Sequence, residues 1–184
     1  MERISEAMKA VERSGFLPPN ARQHAHRDQP LSIGYQQTNS QPTTVRIMLE
    51  LLDPQPGEKI LDVGSGSGWT TALLAHLVGP DGQVEGVEIV EELVAFGQAN
   101  VQAPNARIRQ AGNVLGVPEE APFDKILVSA EAKRIPQELV DQLAPGGVMV
   151  LPVGNTMMRV VKHSDGEIST SQHGGFIFVP LIHD

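Results

Sequence analysis

The sequence has no cysteine in its 184 residues. Disulfides, thiolate metal sites and cysteine nucleophiles are thereby excluded, and the absence fits a cytoplasmic protein. Basic charge is also scarce: 14 Lys and Arg stand against 22 Asp and Glu, for a formal net charge of −8. Those basic residues are scattered, which disfavours nucleic acid as a partner, because phosphate contacts need clustered Lys and Arg. No stretch approaches the roughly 18 apolar residues that cross a bilayer. Residues 1–16 are charged and helix-like, without the apolar core of a signal peptide. Internal repeats and low-complexity tracts are missing too. A soluble, cytoplasmic monomer without a membrane partner is expected, and the length suits one α/β domain over 1–184.

What is present is a regular alternation. Residues 3–11 carry Ile4, Ala7, Met8 and Val11 at helical spacing, and Pro18 and Pro19 stop that helix. The polar, aperiodic stretch 20–41 reads as a long loop, of a length that is usually functional or a tail. Pro42 suits a first helical position, and Val45, Met48, Leu49 and Leu52 then form one stripe. Strands are expected at 59–63, 83–88, 107–109, 125–129 and 148–153. Helices are expected at 69–78, at 91–101 and from Pro136, the last bearing Leu139, Val140 and Leu143. Such alternation predicts a mostly parallel sheet with helices on both faces. Residues 158–163 and 167–172, around Ser164-Asp165-Gly166, predict an antiparallel C-terminal hairpin.

The most informative segment is Leu61-Asp62-Val63-Gly64-Ser65-Gly66-Ser67-Gly68-Trp69-Thr70, at a strand-to-helix handover. Glycine permits positive φ and lets backbone approach a ligand closely. The dinucleotide fingerprint is GxGxxG, whereas the spacing here is GxGxG, with Trp69 in place of the third glycine. Asp62 precedes the loop, and a negative charge there repels a diphosphate but suits a ligand with an ammonium and a sulfonium. S-adenosyl-L-methionine carries both. Glu88 ends the next strand, where a carboxylate accepts hydrogen bonds from both ribose hydroxyls. Cofactor contacts are therefore expected at Asp62, Gly64, Ser65, Gly66, Gly68, Glu88 and Ile89. The plainer reading is a tight turn followed by a solvated acid. A nicotinamide-dependent oxidoreductase is disfavoured by the glycine spacing.

The run from Asp28-Gln29-Pro30-Leu31 through Gln37-Thr38-Asn39-Ser40-Gln41-Pro42 is similar to the D-x-P-L-P-I-G-x-G-Q-T-I-S-x-P segment of the protein-L-isoaspartate O-methyltransferases. Glu6-Ala7-Met8, Arg13 and Phe16 upstream resemble that family's N-terminal helix. Ala121-Pro122-Phe123-Asp124, Pro145-Gly146-Gly147, Leu151-Pro152-Val153-Gly154 and Val179-Pro180-Leu181 match downstream. The resemblance implies a Rossmann-like fold and methyl transfer from S-adenosyl-L-methionine to the α-carboxyl of L-isoaspartyl residues in damaged proteins or peptides. The ester then collapses to a succinimide that reopens to aspartate. It further implies that Ser40 is the hydroxyl nearest the reacting carboxylate, with Thr38 beside it. Residues 1–41 would supply the substrate side and 42–184 the cofactor-binding core. Ser40 and the start of the Pro42 helix are expected to hold the carboxylate.

Three positions depart from the pattern. Asn39 replaces an apolar residue, Gln36 replaces a glycine, and the Gly-Asp-Gly that contacts adenine is replaced by Ala111-Gly112-Asn113. Counted without a gap Gly112 takes the Asp place; a one-residue slip puts Asn113 there. Trp69 is expected to pack, Glu119 and Glu120 to be solvated, and Glu131 is a candidate substrate contact after a strand end. His24 and His26 lack a third ligand, so no metal is expected. Rival functions are methylation of another carboxylate or modified peptide, and a non-catalytic cofactor-binding or interaction module.

Overall fold

The computed structural model describes residues 1–182. Its first helix, α1 (Glu2–Ala10), buries Ile4 and Ala7 from the expected stripe. Two short 3-10 turns follow, Arg13–Phe16 and Arg22–His24. The stretch read as a structureless loop then folds into an antiparallel hairpin of β1 (Leu31–Gly34) and β2 (Gln37–Asn39). Leu31 and Ile33 pack there with Leu17 and Leu93. Two alternating apolar residues are too short a run to register as a strand pattern, yet they are enough to anchor the hairpin.

The helix α2 (Pro42–Leu52) begins at Pro42 and buries Val45, Met48, Leu49 and Leu52, as the spacing predicts. Asp28 caps it from outside, accepting the Thr43 N–H at 2.8 Å and the Thr43 hydroxyl at 2.7 Å. These bonds, the backbone one foremost, hold the Asp28 carboxyl below its ordinary range.

Alternation then takes over in β3 (Lys59–Val63), α3 (Trp69–Val78), β4 (Gln83–Glu88), α4 (Glu91–Asn100), β5 (Ala106–Gln110), β6 (Phe123–Val128), α5 (Gln137–Gln142) and β7 (Leu143–Val153). Leu143, expected on the last helix, instead begins β7, because it pairs with Phe123 across the sheet. Two more strands, β8 (Thr156–Lys162) and β9 (Ile168–Gly175), complete a seven-stranded sheet ordered β5-β4-β3-β6-β7-β8-β9. The strands from β5 to β7 are parallel; β8 and β9 are antiparallel. The C-terminal hairpin thus extends the sheet, since β8 pairs with β7.

The two-residue period of the strands divides the core. Ile60, Val84 and Leu127 pack with α1, α2 and α3, whereas Leu61, Val87 and Ile126 face the layer that contains α5. Helices therefore cover both faces, the Rossmann-like arrangement expected. Strand order reverses between β3 and β6, the switch point at which open α/β sheets bind ligands. Glu119 and Glu120 are not merely solvated: Glu119 pairs with Arg109 at 3.0 Å and Glu120 with Arg107 at 2.8 Å. The basic residues of β5 lie opposite that turn and neutralise it. Among the described residues no helix is long and apolar enough to cross a membrane.

Candidate active site

At the switch point lies a cavity of about 770 Å³, large enough for a cofactor-sized ligand. Val63, Val87 and Glu88 reach it from the ends of β3 and β4, and Ser129 and Ala130 from just beyond β6. Thr38, Asn39, Ser40, Gln41 and Thr44 form the opposite wall, and residues 177–182 a third side.

The loop after β3 needs its glycines. Gly64, Gly66 and Gly68 have φ of +77°, +53° and +94°, a region that residues with a β-carbon rarely adopt. Gly64, Ser65 and Gly66 line the cavity. Gly68 does not. A Cβ there would stand 2.7 Å from Val101 Cγ2 and 3.3 Å from the Gly97 carbonyl. Gly68 is thus a packing glycine that lets α4 close on the loop.

Asp62 also lies elsewhere than expected. It shares the face of Ile60 by strand alternation and is fully buried outside the cavity lining. Its Oδ2 accepts the hydroxyls of Thr70 and Thr71, both at 2.7 Å. Burial pushes its carboxyl up to about 6, with the nearby Glu88 charge adding to the rise and the two hydroxyls opposing it. Asp62 therefore fixes the first turn of α3. Its Oδ1 and the Ser65 Oγ are both buried without a partner. Such orphaned oxygens beside a cavity fit a ligand rich in hydrogen-bond donors.

Glu88 is 5% exposed and clamps the loop. Its Oε2 accepts the Gly66 N–H at 2.8 Å, and its Oε1 accepts those of Ile89 at 2.8 Å and Val90 at 3.0 Å. A carboxylate offers about four acceptor positions. With three taken, Glu88 has room for one ribose hydroxyl rather than both. Ile89, Gly112 and Asn113 are exposed residues of the cavity lining, so both alignments left open by the sequence bring a residue to the cavity.

On the facing wall Thr38 is exposed, Ser40 half-buried and Asn39 buried between them. At the start of α2 the Thr43 N–H is already taken by Asp28. Asn39, polar where an apolar residue was anticipated, is satisfied: Arg13 Nε donates to its Oδ1 at 2.7 Å, and its Nδ2 donates to Ser67 Oγ at 3.3 Å. Trp69 is buried, and its Nε1 donates to the Val11 carbonyl at 3.0 Å, so it packs while also lining the cavity.

Glu131 is not among the lining residues; its backbone instead anchors the chain end. Its N–H donates to the Val179 carbonyl at 2.7 Å and its carbonyl accepts the Leu181 N–H at 2.8 Å. This strap over the cavity was missed in the sequence, although the apolar run Phe176-Ile177-Phe178-Val179 after a polar hairpin could have marked it. His24 and His26 lie away from the cavity, and no group of three or more His, Asp or Glu among the described residues could hold a metal ion. Among the described lining residues Glu88 is the sole ionisable side chain.

Comparison with known proteins agrees with this geometry. The family model described as protein-L-isoaspartate(D-aspartate) O-methyltransferase matches residues 1–184. A protein-L-isoaspartate O-methyltransferase of Methanopyrus kandleri is 47% identical, over 98% of this chain and 83% of its own. One from Aeropyrum pernix is 44% identical, over 98% of this chain and 72% of its own. A Plasmodium falciparum protein-L-isoaspartate O-methyltransferase crystallised with S-adenosyl-L-homocysteine superposes with a TM-score of 0.89 at 26% identity, covering 100% of this chain and 92% of that one. On a whole-length match and relatives above 40% identity, the chain belongs to the protein-L-isoaspartate(D-aspartate) O-methyltransferase family.

Proposed function

We propose that the protein transfers a methyl group from S-adenosyl-L-methionine to the α-carboxylate of L-isoaspartyl residues in damaged proteins or peptides. The observation that carries this reading is the lining of the cavity: hydroxyls, amides and glycine backbone, with no ionisable side chain but the backbone-tied Glu88 among the described residues. Such a wall has no general base to offer. A carboxylate needs none, being ionised at neutral pH. An alcohol or amine acceptor would have to lose a proton.

Bound in the cavity, the cofactor supplies an electrophilic methyl on a sulfonium. The chain's own contribution is placement. Gly64 and Gly66 allow backbone to lie against the adenosyl group, Glu88 takes a ribose hydroxyl, and Gly112 and Asn113 border the adenine. Ser65, whose buried hydroxyl has no partner, borders the space for the charged amino-acid end. Thr38 and Ser40, on the facing wall, would hold and align the acceptor carboxylate toward the cofactor. Exclusion of water by the strap and the hairpin strips the carboxylate of its hydration. In this reading 1–41 supply the acceptor side and 42–184 the cofactor core of one domain. Binding of S-adenosyl-L-homocysteine by the Plasmodium falciparum relative supports the cofactor assignment.

The test is methylation of two peptides that differ only in an isoaspartyl or a normal aspartyl residue, using labelled S-adenosyl-L-methionine. Label is expected in the isoaspartyl peptide alone. Equal labelling of both, or of neither while cofactor is bound, would overturn the reading.

A further inference from the structure

The machinery described so far makes no use of Arg13, a cation bonded to the acceptor wall at Asn39 and Ser40. Arg13 is 5% exposed, and its ring neighbour is Trp69, 5.6 Å from guanidinium carbon to ring centroid. Its five N–H groups reach six acceptors, Nη2 sharing its two hydrogens among three carbonyls, and none of the six is a carboxylate. Nε donates to Asn39 Oδ1 at 2.7 Å. Nη1 donates to the carbonyls of Ala25 at 3.2 Å and Arg27 at 2.9 Å, and Nη2 to those of Gln29 at 2.8 Å, Asn39 at 3.1 Å and Ser40 at 3.1 Å. Burial lowers its pKa to about 10, against a rise from the charge of Asp28, so it remains a cation at neutral pH.

Two of those backbone carbonyls, of Asn39 and Ser40, belong to the strip on the acceptor wall. A peptide unit is planar and trans, so its N–H points opposite to its C=O. Drawing the carbonyls of Asn39 and Ser40 onto Arg13 therefore turns the N–H groups of Ser40 and Gln41 away from it. Neither N–H meets an acceptor among the described residues, and both residues line the cavity. The same guanidinium holds the Asn39 side chain, whose Nδ2 reaches Ser67 in the glycine loop. One buried cation thus fixes the acceptor strip and ties it to the loop on the cofactor side.

We propose that Arg13 is a positioning residue for methyl transfer. It acts through the Asn39 and Ser40 peptide units, presenting the Ser40 and Gln41 N–H groups and the Ser40 hydroxyl to the acceptor carboxylate. The inference rests on the methyl-transfer reading above. Arg13 touches neither reactant; its charge reaches the carboxylate through polarised peptides, a geometry an ammonium cannot reproduce because it lacks the planar fork. A role confined to stability predicts something different. It would lower the melting temperature and the fraction of folded sites, but each folded site would retain its KM and rate.

The experiment uses Arg13→Lys and, as a variant outside the buried cation, Asn39→Ala. Calorimetry with S-adenosyl-L-homocysteine counts competent sites and gives cofactor affinity. Single-turnover and steady-state methylation of an isoaspartyl peptide are then expressed per competent site. For Arg13→Lys we expect peptide KM to rise and single-turnover rate to fall, each about tenfold, with cofactor affinity changed by less than about threefold. Asn39→Ala should shift the same two quantities in the same direction by a smaller factor, and it decides the matter alone if Arg13→Lys does not fold. Wild-type KM and rate per competent site in either folded variant would overturn the proposal. Failure of the wild type to methylate the isoaspartyl peptide would instead sink the functional reading, and this inference with it.

Discussion

Replacing Glu88 by Gln changes one heavy atom and tests how the glycine loop is held. The carboxylate accepts three backbone N–H groups, from Gly66, Ile89 and Val90. Glutamine keeps one oxygen, which can retain the Ile89 and Val90 bonds, but it sets an NH2 against the Gly66 N–H. One charge-assisted bond, about 1.5–3 kcal/mol, is then lost, and a buried donor facing a donor costs about 1–3 kcal/mol more. Some of this is relieved if the loop shifts, so a destabilisation of about 3 kcal/mol is expected. With a urea slope of about 1–3 kcal/mol/M, the unfolding midpoint should fall by about 1–3 M. Cofactor affinity should fall with it, because the variant displaces Gly66 and weakens the ribose acceptor; loss of one charged hydrogen bond corresponds to about ten- to a hundredfold. Urea unfolding and calorimetric titration with S-adenosyl-L-homocysteine measure the two effects. A midpoint moved by less than about 0.2 M, together with unchanged affinity, would refute the clamp.

Gly66→Val and Gly68→Ala should fail in different ways: Gly66 lines the cavity and a Cβ there meets only Ile33 Cδ1, at 3.3 Å, whereas one at Gly68, outside the lining, would be 2.7 Å from Val101 Cγ2 in the packing. Gly66→Val is expected to lose S-adenosyl-L-homocysteine binding in calorimetry while its circular dichroism persists. Gly68→Ala should lower stability by about 2–4 kcal/mol in urea, and equal stability of wild type and variant would contradict the packing role. Asp62 has a folded-state pKa of about 6 against an ordinary 3.8, so the folded state binds the extra proton and stability falls as pH rises from 4 to 6, by about 3 kcal/mol. Asp62→Asn should remove that fall, and parallel pH profiles for the two proteins would refute it. Ser40→Ala should slow single-turnover methylation of an isoaspartyl peptide about ten- to a thousandfold and leave cofactor affinity unchanged; equal rates would make Ser40 an ordinary turn residue. Aspartate introduced at Gly112 or at Asn113 should tighten cofactor binding by about one to two powers of ten at whichever position faces the adenine, and calorimetry of both decides between the alignments.

Local pattern was enough for much of the framework. The bounds of β3, α3 and β4 follow from a five-residue segment carrying Ile60, Leu61 and Val63, a glycine handover and a strand ending in an acid, and the structure has them at those residues. The stripe of α2 and the C-terminal hairpin were equally open to reading, because helical and strand periods are set by neighbours within a few positions. The loop Gly64 to Gly68 identified itself by composition, since positive φ at alternate residues is a demand only glycine meets cheaply.

Side-chain destinations at the site were decided by tertiary structure. Asp62 and Glu88 are both acids at the ends of neighbouring strands, yet one is sealed under α3 and the other clamps the loop beside the cavity. Their chemical type and, by register, their face of the sheet are the same; the element packed against each differs. Gly68 became a packing position because α4 lies on it, and α4 comes from almost thirty residues further along the chain. Arg13 shows the limit most plainly: its partners Asn39 and Ser40 are 26 and 27 residues away, and no local period connects them. A sequence specifies which backbone conformations and which faces are available. Which buried donor meets which acceptor is fixed only when distant segments are brought together, because the cost of leaving a polar group unpaired arises only where water has been excluded.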